Sequence, residues 1–293
     1  MTIFAALLSS TLAMAQVGPF TVPNPGGNAR VPKPALEGRE ARPKPVLQPV
    51  QPVVRPALSN CYALAADDPV AALTSADDDL TVKTGAERND ALGCRAIALL
   101  ALERFNEAET AFIAARDALD ADDARGRAEY MAGAAIAAEG RAAYTTAIDY
   151  SARAKALAKT AEDAQLAGRI SRDSAGTLFK LGRKDEAAAA LAEARAALPT
   201  DPITFTISAR AARLSGKLAE AQAFIELAAR LDPLDVGIGL EAGLIAAMGG
   251  RDDAARKSWR SVIATAPQSA EAEQAKAWIA RLDAPAPAPP KAK

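Results

Sequence analysis

Small and apolar residues recur along the C-terminal third of the chain with a fixed step of 34 residues. Four kinds of position follow this step: glycines Gly182, Gly216 and Gly250; alanines Ala187, Ala221 and Ala255; bulky residues Leu191, Ile225 and Trp259; and prolines Pro199, Pro233 and Pro267. A period of about 20–50 residues is typical of proteins built from stacked repeats. Such stacks usually offer an extended binding surface, so the pattern favours binding over catalysis.

Each unit is predicted to be a pair of helices. Gly182 separates two stretches of helical pattern, SRDSAGTLFKL and DEAAAALAEARAAL, and glycine accepts the left-handed backbone that ends a helix. Ala187, Leu191 and Ala194 are spaced by 4 and 3 residues, so they share one helix face. At the next boundary, Asp201-Pro202 supplies an N-cap and a first helical residue.

This unit resembles the tetratricopeptide repeat, a helical hairpin with a small-residue column, an aromatic column and a closing proline. The resemblance covers residues 168–267, where three units run without gaps. The family's first-helix tryptophan and Leu-Gly pair are mostly missing, although Gly243 retains the glycine. The resemblance implies an all-α, right-handed superhelical solenoid whose first helices line a concave peptide-binding groove.

Two less regular hairpins are predicted upstream, which makes five in total. The second-helix pattern of the first is Phe105, Ala108, Phe112 and Ala115, with Ala96 and Leu99 in its first helix. The second has Tyr144, Ala147 and Ala154, with Ser151 at the bulky position and Tyr150 one residue earlier. Ala108, Ala147 and Ala187 are 39 and 40 residues apart, which predicts longer helices or loops near residues 121–126 and 158–167.

A last helix is predicted to cover the C-terminal end of the stack. Ser269 is its N-cap candidate, and Ala275, Trp278 and Ile279 form its apolar stripe. Terminal repeats need such a cap because their outer face has no neighbour; the alternative for Trp278 is a stacking platform for a ligand. We place the solenoid at residues 58–282 and a disordered Ala/Pro tail at 283–293.

The N-terminus has the pattern of a secretory signal. An apolar run over residues 3–14 leads into Ala13-Met14-Ala15, and a short apolar core ending in A-x-A is typical of a cleaved signal peptide. The run is shorter than the about 20 residues that span a bilayer. Cleavage after Ala15 would give a periplasmic or secreted protein without a transmembrane span. No Lys or Arg precedes the run, which leaves open whether Met1 is the true start.

Residues 16–57 differ in composition, since they hold ten of the 19 prolines and proline removes backbone donors that helices need. We expect a disordered linker. Its six Lys and Arg against two Glu give a net charge of +4. One interpretation is a basic arm that contacts anionic lipids or cell-wall polymers; the other is a solubilising spacer.

The two cysteines, Cys61 and Cys94, are predicted to form a disulfide. Their spacing of 33 excludes C-x-x-C chemistry, and the chain has no histidine to complete a zinc site. In an exported protein, a single pair of cysteines favours a disulfide. It would pin an N-terminal helix, beginning near Asp68-Pro69, onto the first hairpin. The alternative is two buried free thiols.

Several activities lack their residues in this sequence. Without histidine there is no Ser-His-Asp or Cys-His mechanism, and no Gly-rich phosphate loop occurs. Asp77-Asp78-Asp79 and Asp122-Asp123 lack the spacing of a calcium loop. A net charge of −1 and 4% aromatic residues give no support for nucleic-acid binding. We therefore expect no enzyme activity, no cofactor, no metal and no nucleic acid.

A protein or peptide partner remains. By the register of the resemblance, the cations expected in or beside the groove are Arg169, Arg172, Lys180, Arg210 and Arg213. They suggest a ligand that is acidic or carries a C-terminal carboxylate. Gly176 and Ile203 stand at two positions of the lysine-asparagine clamp of the chaperone-tail-binding members, which argues against that ligand. The alternative is a solvated helix face with internal ion pairs.

Two functions therefore remain open. One is an interaction scaffold of the bacterial envelope that binds its partner in the groove. The other is a surface-associated or cell-wall-associated module held by the basic linker, with the repeats as a spacer.

Overall fold

The computed structural model describes residues 56–284, with side chains from Asn60 onwards. Within this range the chain forms thirteen α-helices and no strand, which confirms the all-α prediction. They are α1 (Pro56–Asp67), α2 (Pro69–Val82), α3 (Gly85–Ala101), α4 (Phe105–Asp117), α5 (Ala124–Gly140), α6 (Tyr144–Thr160), α7 (Ala164–Lys180), α8 (Lys184–Ala197), α9 (Pro202–Leu214), α10 (Leu218–Leu231), α11 (Val236–Met248), α12 (Asp252–Thr265) and α13 (Ala270–Asp283). The predicted signal peptide, the linker up to residue 55 and the tail from residue 285 lie outside the described residues.

The five predicted hairpins are present as consecutive helix pairs from α3 to α12. An additional pair, α1 and α2, precedes them, and α13 follows them. Because α1 begins at Pro56, the helical part starts two residues before the expected solenoid boundary at residue 58. The helices divide into two compact units, called here unit 1 and unit 2, and the boundary falls after Ala211, inside α9.

Helix length accounts for the two different repeat steps. In the regular repeats, first helices have 13 residues and second helices 14. A three-residue turn and a four-residue connection complete the 34-residue step. Before the regular repeats, α5, α6 and the first helix of the third hairpin, α7, have 17 residues each, and six residues join α4 to α5. The extra residues therefore lengthen helices and one connection, as the sequence predicted.

The hairpin turns share one backbone conformation. The middle residue of each three-residue turn has a positive φ, between 57° and 76°. It is Glu103, Ala142, Gly182, Gly216 and Gly250 in the five hairpins from first to last. Glycine adopts this left-handed conformation without steric cost, whereas glutamate and alanine do not. The upstream hairpins therefore keep the turn although they lack the glycine.

Side-chain caps begin six of the helices. The capping residues are Asp68, Asp123, Asp163, Asp201, Asp235 and Ser269, each accepting a hydrogen bond from the backbone N–H three residues later. An N-cap satisfies a backbone donor that the helix itself leaves unpaired. The caps predicted at Asp201 and Ser269 are confirmed, and Asp68 caps the helix that was predicted to begin there.

Close contacts between aromatic rings and glycines build the core of unit 1. Phe112 is buried, and a Cβ on Gly133 of α5 would lie 2.4 Å from its ring. Tyr130 approaches Gly93 of α3 in the same way, with 2.2 Å between its hydroxyl oxygen and the position of a Cβ. Glycine therefore lets neighbouring helices approach around a large ring. In the second hairpin Tyr150 packs against the core.

In unit 2 the core is centred on Trp259. Its indole Nε1 donates to the carbonyl of Leu240 over 3.1 Å, and its ring stands where a Cβ on Gly243 would lie. Trp278 of α13 packs against it, with ring centroids 5.4 Å apart. Trp278 thus joins the core as part of the capping helix, in agreement with the first of its two interpretations.

Cys61 and Cys94 form the predicted disulfide, with a Cα–Cα distance of 5.6 Å, and the chain has no free cysteine. The bond joins α1 to α3. One detail of the prediction is corrected: Cys61 lies in α1, a helix that the sequence analysis did not predict, whereas the predicted helix after Asp68 is α2. Closing this loop stabilises the fold by roughly 3–4 kcal/mol in the chain-entropy description.

Candidate binding surface

The first helices of the first three hairpins lie next to each other in unit 1, since α3 contacts α5 and α5 contacts α7. On α7, Arg169, Arg172, Gly176 and Lys180 are spaced by 3, 4 and 4 residues. This spacing places them along one side of the helix. We call this side of α7 the α7 face.

Arg172 is buried within an ion-pair network. Its Nε lies 2.7 Å from Oδ1 of Asp173 and its Nη1 lies 2.9 Å from Oδ2 of Asp201. Burial alone would lower the pKa of this guanidinium, but the two carboxylates outweigh burial and raise it. Asp201 also caps α9, so Arg172 ties α7 to the start of α9.

Lys180 has partners in the second hairpin. Its Nζ lies 2.8 Å from Oε1 of Glu139 and 5.2 Å from the centre of the Tyr144 ring. The other oxygen of Glu139 accepts from the hydroxyl of Thr177 over 2.7 Å. The Lys180 side chain keeps 35% of its surface exposed, so a ligand carboxylate can still approach it.

Arg169 and Arg210 are both half-buried. Burial lowers the pKa of Arg169, and the neighbouring carboxylates of Asp163 and Glu129 offset this in part. Arg210 of α9 takes part in an interaction of its own.

Arg213 lies in unit 2 and pairs with Glu241 of α11, with Nε 2.5 Å from Oε1. Glu241 is only 5% exposed, which makes this a buried pair. The predicted cations therefore fall into two groups according to whether an ion pair within the chain is observed. Arg172, Lys180 and Arg213 form ion pairs inside the chain, as the alternative interpretation described. A role of the five cations in ligand binding stays a prediction.

Gly176 is the unusual residue of the α7 face. Apart from the local helix backbone, no heavy atom lies within 4 Å of the position that its Cβ would take. By contrast, Gly93, Gly133, Gly168, Gly239 and Gly243 each have a side-chain atom within 2.7 Å of that position. Sequence reasoning noted Gly176 only as a departure from a clamp motif. The feature of the sequence that could have identified Gly176 is a glycine inside a predicted helix, away from any turn.

Among residues 56–284, no group of three or more Cys, Asp or Glu side chains is arranged to hold a metal ion. None of the helices α1 to α13 is long and apolar enough to cross a membrane.

Several solved structures share this architecture. PilW, a widely conserved type IV pilus biogenesis factor, aligns with a TM-score of 0.60 and 20% identity over 74% of this chain and 96% of that chain. PilF of Pseudomonas aeruginosa gives 0.55 and 18%, over 68% and 86% of the two chains. BtubC from P. vanneervenii gives 0.56 and 14%, over 80% and 96%. No protein-family profile matches the sequence, and no curated protein matches it.

PilW and PilF are tetratricopeptide repeat proteins, and this chain has their helical solenoid fold. The resemblance inferred from the 34-residue step is thereby confirmed. Because the identities are 20% or lower in these three alignments, the likeness establishes the fold alone.

Proposed function

We propose that the protein is a non-enzymatic interaction scaffold of the bacterial envelope that binds a protein or peptide on the α7 face of unit 1. Three observations support this: a fold that generally serves protein binding, a disulfide that suits an oxidising compartment, and an N-terminal segment with a signal-peptide pattern.

Gly176 carries the proposal. A glycine inside a helix costs about 1 kcal/mol relative to alanine, and no packing contact of unit 1 accounts for this one. An open glycine on a helix face lets the backbone of a ligand approach more closely than any other residue would. We infer that an extended segment of the partner crosses α7 at Gly176.

The surroundings of Gly176 define the chemistry of that segment. Lys180 follows by four residues, or about 6 Å along the helix, and Arg169 precedes by seven, or about 10 Å. A carboxylate of the ligand can share Lys180 with Glu139. The proposed ligand is therefore an extended peptide segment carrying a carboxylate, either a side chain or a C-terminus.

Substitution at Gly176 tests this proposal. Gly176→Trp should abolish partner capture because it fills the space in front of α7, while the helix gains a residue with better helix propensity. Capture is measured with a photo-crosslinking amino acid at position 206 on α9, in intact cells. Ala192→Trp is the matched control, since Ala192 is exposed on α8, the second helix of the same hairpin.

We expect a discrete crosslinked adduct in the wild-type background and in Ala192→Trp, and its loss in Gly176→Trp. Equal adducts in both tryptophan variants would contradict the assignment of the α7 face. Circular dichroism of both variants must match the wild type for the comparison to count.

A further inference from the structure

The first helices of the first three hairpins carry faces that correspond to the α7 face. The left-handed turn residue after each first helix sets their register, because one position of this face lies six residues before it in every hairpin. That position is Ile97 on α3, Ile136 on α5 and Gly176 on α7. Differences among these three positions show which part of the row a ligand can reach.

The face is closed on α3 and accessible on α5 and α7. Ile97 is only 2% exposed, and it lies in the same buried apolar cluster as Cys61 and Ala65 of α1. The disulfide joins α1 to α3 on this side. Ile136, by contrast, is half-buried, and the space at Gly176 is open. A ligand that crosses α7 can therefore extend over α5 but not over α3.

A tyrosine of α1 marks where the closed part ends. Burial raises the pKa of Tyr62, and the neighbouring Glu129 carboxylate and Tyr130 phenol on α5 add to the rise. Glu129 corresponds on α5 to the first cation of the α7 face. The helix α1 thus reaches the beginning of the α5 face, whereas Ala132 and Gly140 further along it keep exposed surface.

The accessible part of the α5 face is apolar. Ala132 and Ile136 are half-buried there, and Ile136 packs against the core. A Cβ on Gly140 would lie 2.4 Å from the ring of Phe105. This ring, itself half-buried, therefore stands where a side chain at position 140 would lie. We call Ala132, Ile136 and Phe105 the α5 strip.

Glu139 brings the α5 strip next to the α7 face. Its carboxylate lies 2.8 Å from Nζ of Lys180 and accepts from the hydroxyl of Thr177 over 2.7 Å. Ile136 precedes Glu139 by three residues, and Gly176 directly precedes Thr177, so both lie within one turn of this contact. Packed helices are about 8–10 Å apart, and an extended segment covers that distance in about three residues.

We propose that the α5 strip binds an apolar side chain of the partner segment, about three or four residues from the carboxylate that contacts Lys180. This inference rests on the proposed function, since it takes the crossing at Gly176 as given. The strip removes apolar surface of the ligand from water, while the cations of the α7 face select a carboxylate. The partner is thus recognised by the combination of the two groups.

A peptide array tests the proposal. Immobilised peptides of glycine and serine, acetylated and amidated, carry one glutamate at the centre and one leucine at every other position in turn. We expect the full-length protein to prefer leucine three or four residues from the glutamate, by about fivefold or more over the leucine-free peptide. Ile136→Lys should remove this preference. Ala132→Leu, which fills the strip with an uncharged side chain, should lower it by about threefold.

The matched control is Ile148→Lys, since Ile148 is half-buried on α6, the second helix of the same hairpin, and packs against the core of α7 and α8. It should keep the preference for leucine, and circular dichroism should show equal helicity in all variants. Gly176→Trp separates the two proposals, because it should abolish binding of every peptide.

Two kinds of result would overturn the inference. A wild-type protein that binds the glutamate peptides without a preference for leucine, or a preference that survives both Ile136→Lys and Ala132→Leu, would reject the α5 strip and leave the α7 face in place. Binding that is absent in the wild type, or that Gly176→Trp leaves unchanged, would reject the proposed function and this inference with it.

Discussion

The upstream hairpins, α3 to α6, and the downstream hairpins, α7 to α12, solve the same structural problem with different residues. Downstream, Gly182, Gly216 and Gly250 supply the left-handed residue of the turn, whereas Glu103 and Ala142 are held in it upstream. A non-glycine residue pays about 1–2 kcal/mol for that conformation. The upstream turns therefore depend on support from the rest of unit 1.

The two regions also differ in what ties successive elements together. Upstream, a covalent bond between Cys61 and Cys94 holds the additional helix α1 on α3. Downstream, the buried guanidinium of Arg172 bridges from α7 to the cap of α9 at Asp201. The regularity of the repeat sequence therefore does not determine which kind of interaction, a disulfide or a buried ion pair, links successive helices. The region with the less regular repeat has the covalent brace.

Removal of the disulfide should have the largest effect on stability. Cys61→Ala/Cys94→Ala should lower the free energy of unfolding of unit 1 by roughly 3–4 kcal/mol, because the unfolded chain regains the freedom of the closed loop. Hydrogen exchange read by mass spectrometry should report faster exchange in α1 and α2 and unchanged exchange in α11 to α13. Reduction of the wild-type protein provides the control, and it should reproduce the variant. Equal loss of protection in both units would contradict a local brace.

Loss of the Arg172 bridge should cost nearly as much. Arg172→Met leaves two carboxylates without their cation, and breaking a buried pair on one side costs about 3 kcal/mol or more. The measurement is the free energy of unfolding by urea at neutral pH. Lys180→Met is the matched control: its ion pair is a third exposed on the lysine side, so its loss should cost less than about 1 kcal/mol.

A second variant separates charge from packing at this position. Arg172→Met/Asp201→Asn should recover part of the lost stability, because the uncompensated carboxylate of Asp201 is also removed. Equal stabilities for the Arg172 and Lys180 variants would show that the bridge does not brace the downstream region.

The fold could be predicted because its signal repeats. The positions that recur every 34 residues, beginning with Gly182, Ala187 and Pro199, predicted the turn, the second helix and the end of each hairpin. The spacing of Ala108, Ala147 and Ala187 predicted where the longer helices lie. Helix α1 was missed, since its residues carry no repeat pattern and Pro56 resembled the end of a Pro-rich segment. The disulfide partner was correct because only two cysteines exist.

The binding surface could be predicted only in part. Register placed Arg169, Arg172 and Lys180 on one helix, but it gave no information on their partners, which come from 29 and 41 residues away for Arg172 and Lys180. Such pairs depend on the packing of successive hairpins. Whether a side chain of a neighbouring helix fills the space at Gly176 likewise depends on how the helices pack, and sequence alone does not show it.

The turn residues provide the finest test of the upstream and downstream difference. Gly182→Ala should lower the free energy of unfolding by about 1 kcal/mol, because alanine is strained at a φ of 74°. Ala142→Gly, at a φ of 63°, should change it by about half as much in the opposite direction. Relief of strain there is partly offset by the greater freedom of glycine in the unfolded chain. Urea unfolding of both variants gives the two signs.

The sign of the change in the free energy of unfolding is the informative result, because both substitutions exchange glycine and alanine at equivalent turns. Ala161→Gly serves as the control, because Ala161 follows α6 with an ordinary φ of −78°. It should destabilise through unfolded-state entropy alone. If Ala142→Gly destabilised the chain as much as Ala161→Gly does, the left-handed residue of the upstream turn would carry no strain. The upstream and downstream hairpins would then differ in sequence but not in backbone strain. The Cys61–Cys94 disulfide would then not serve to offset strain in the upstream turns.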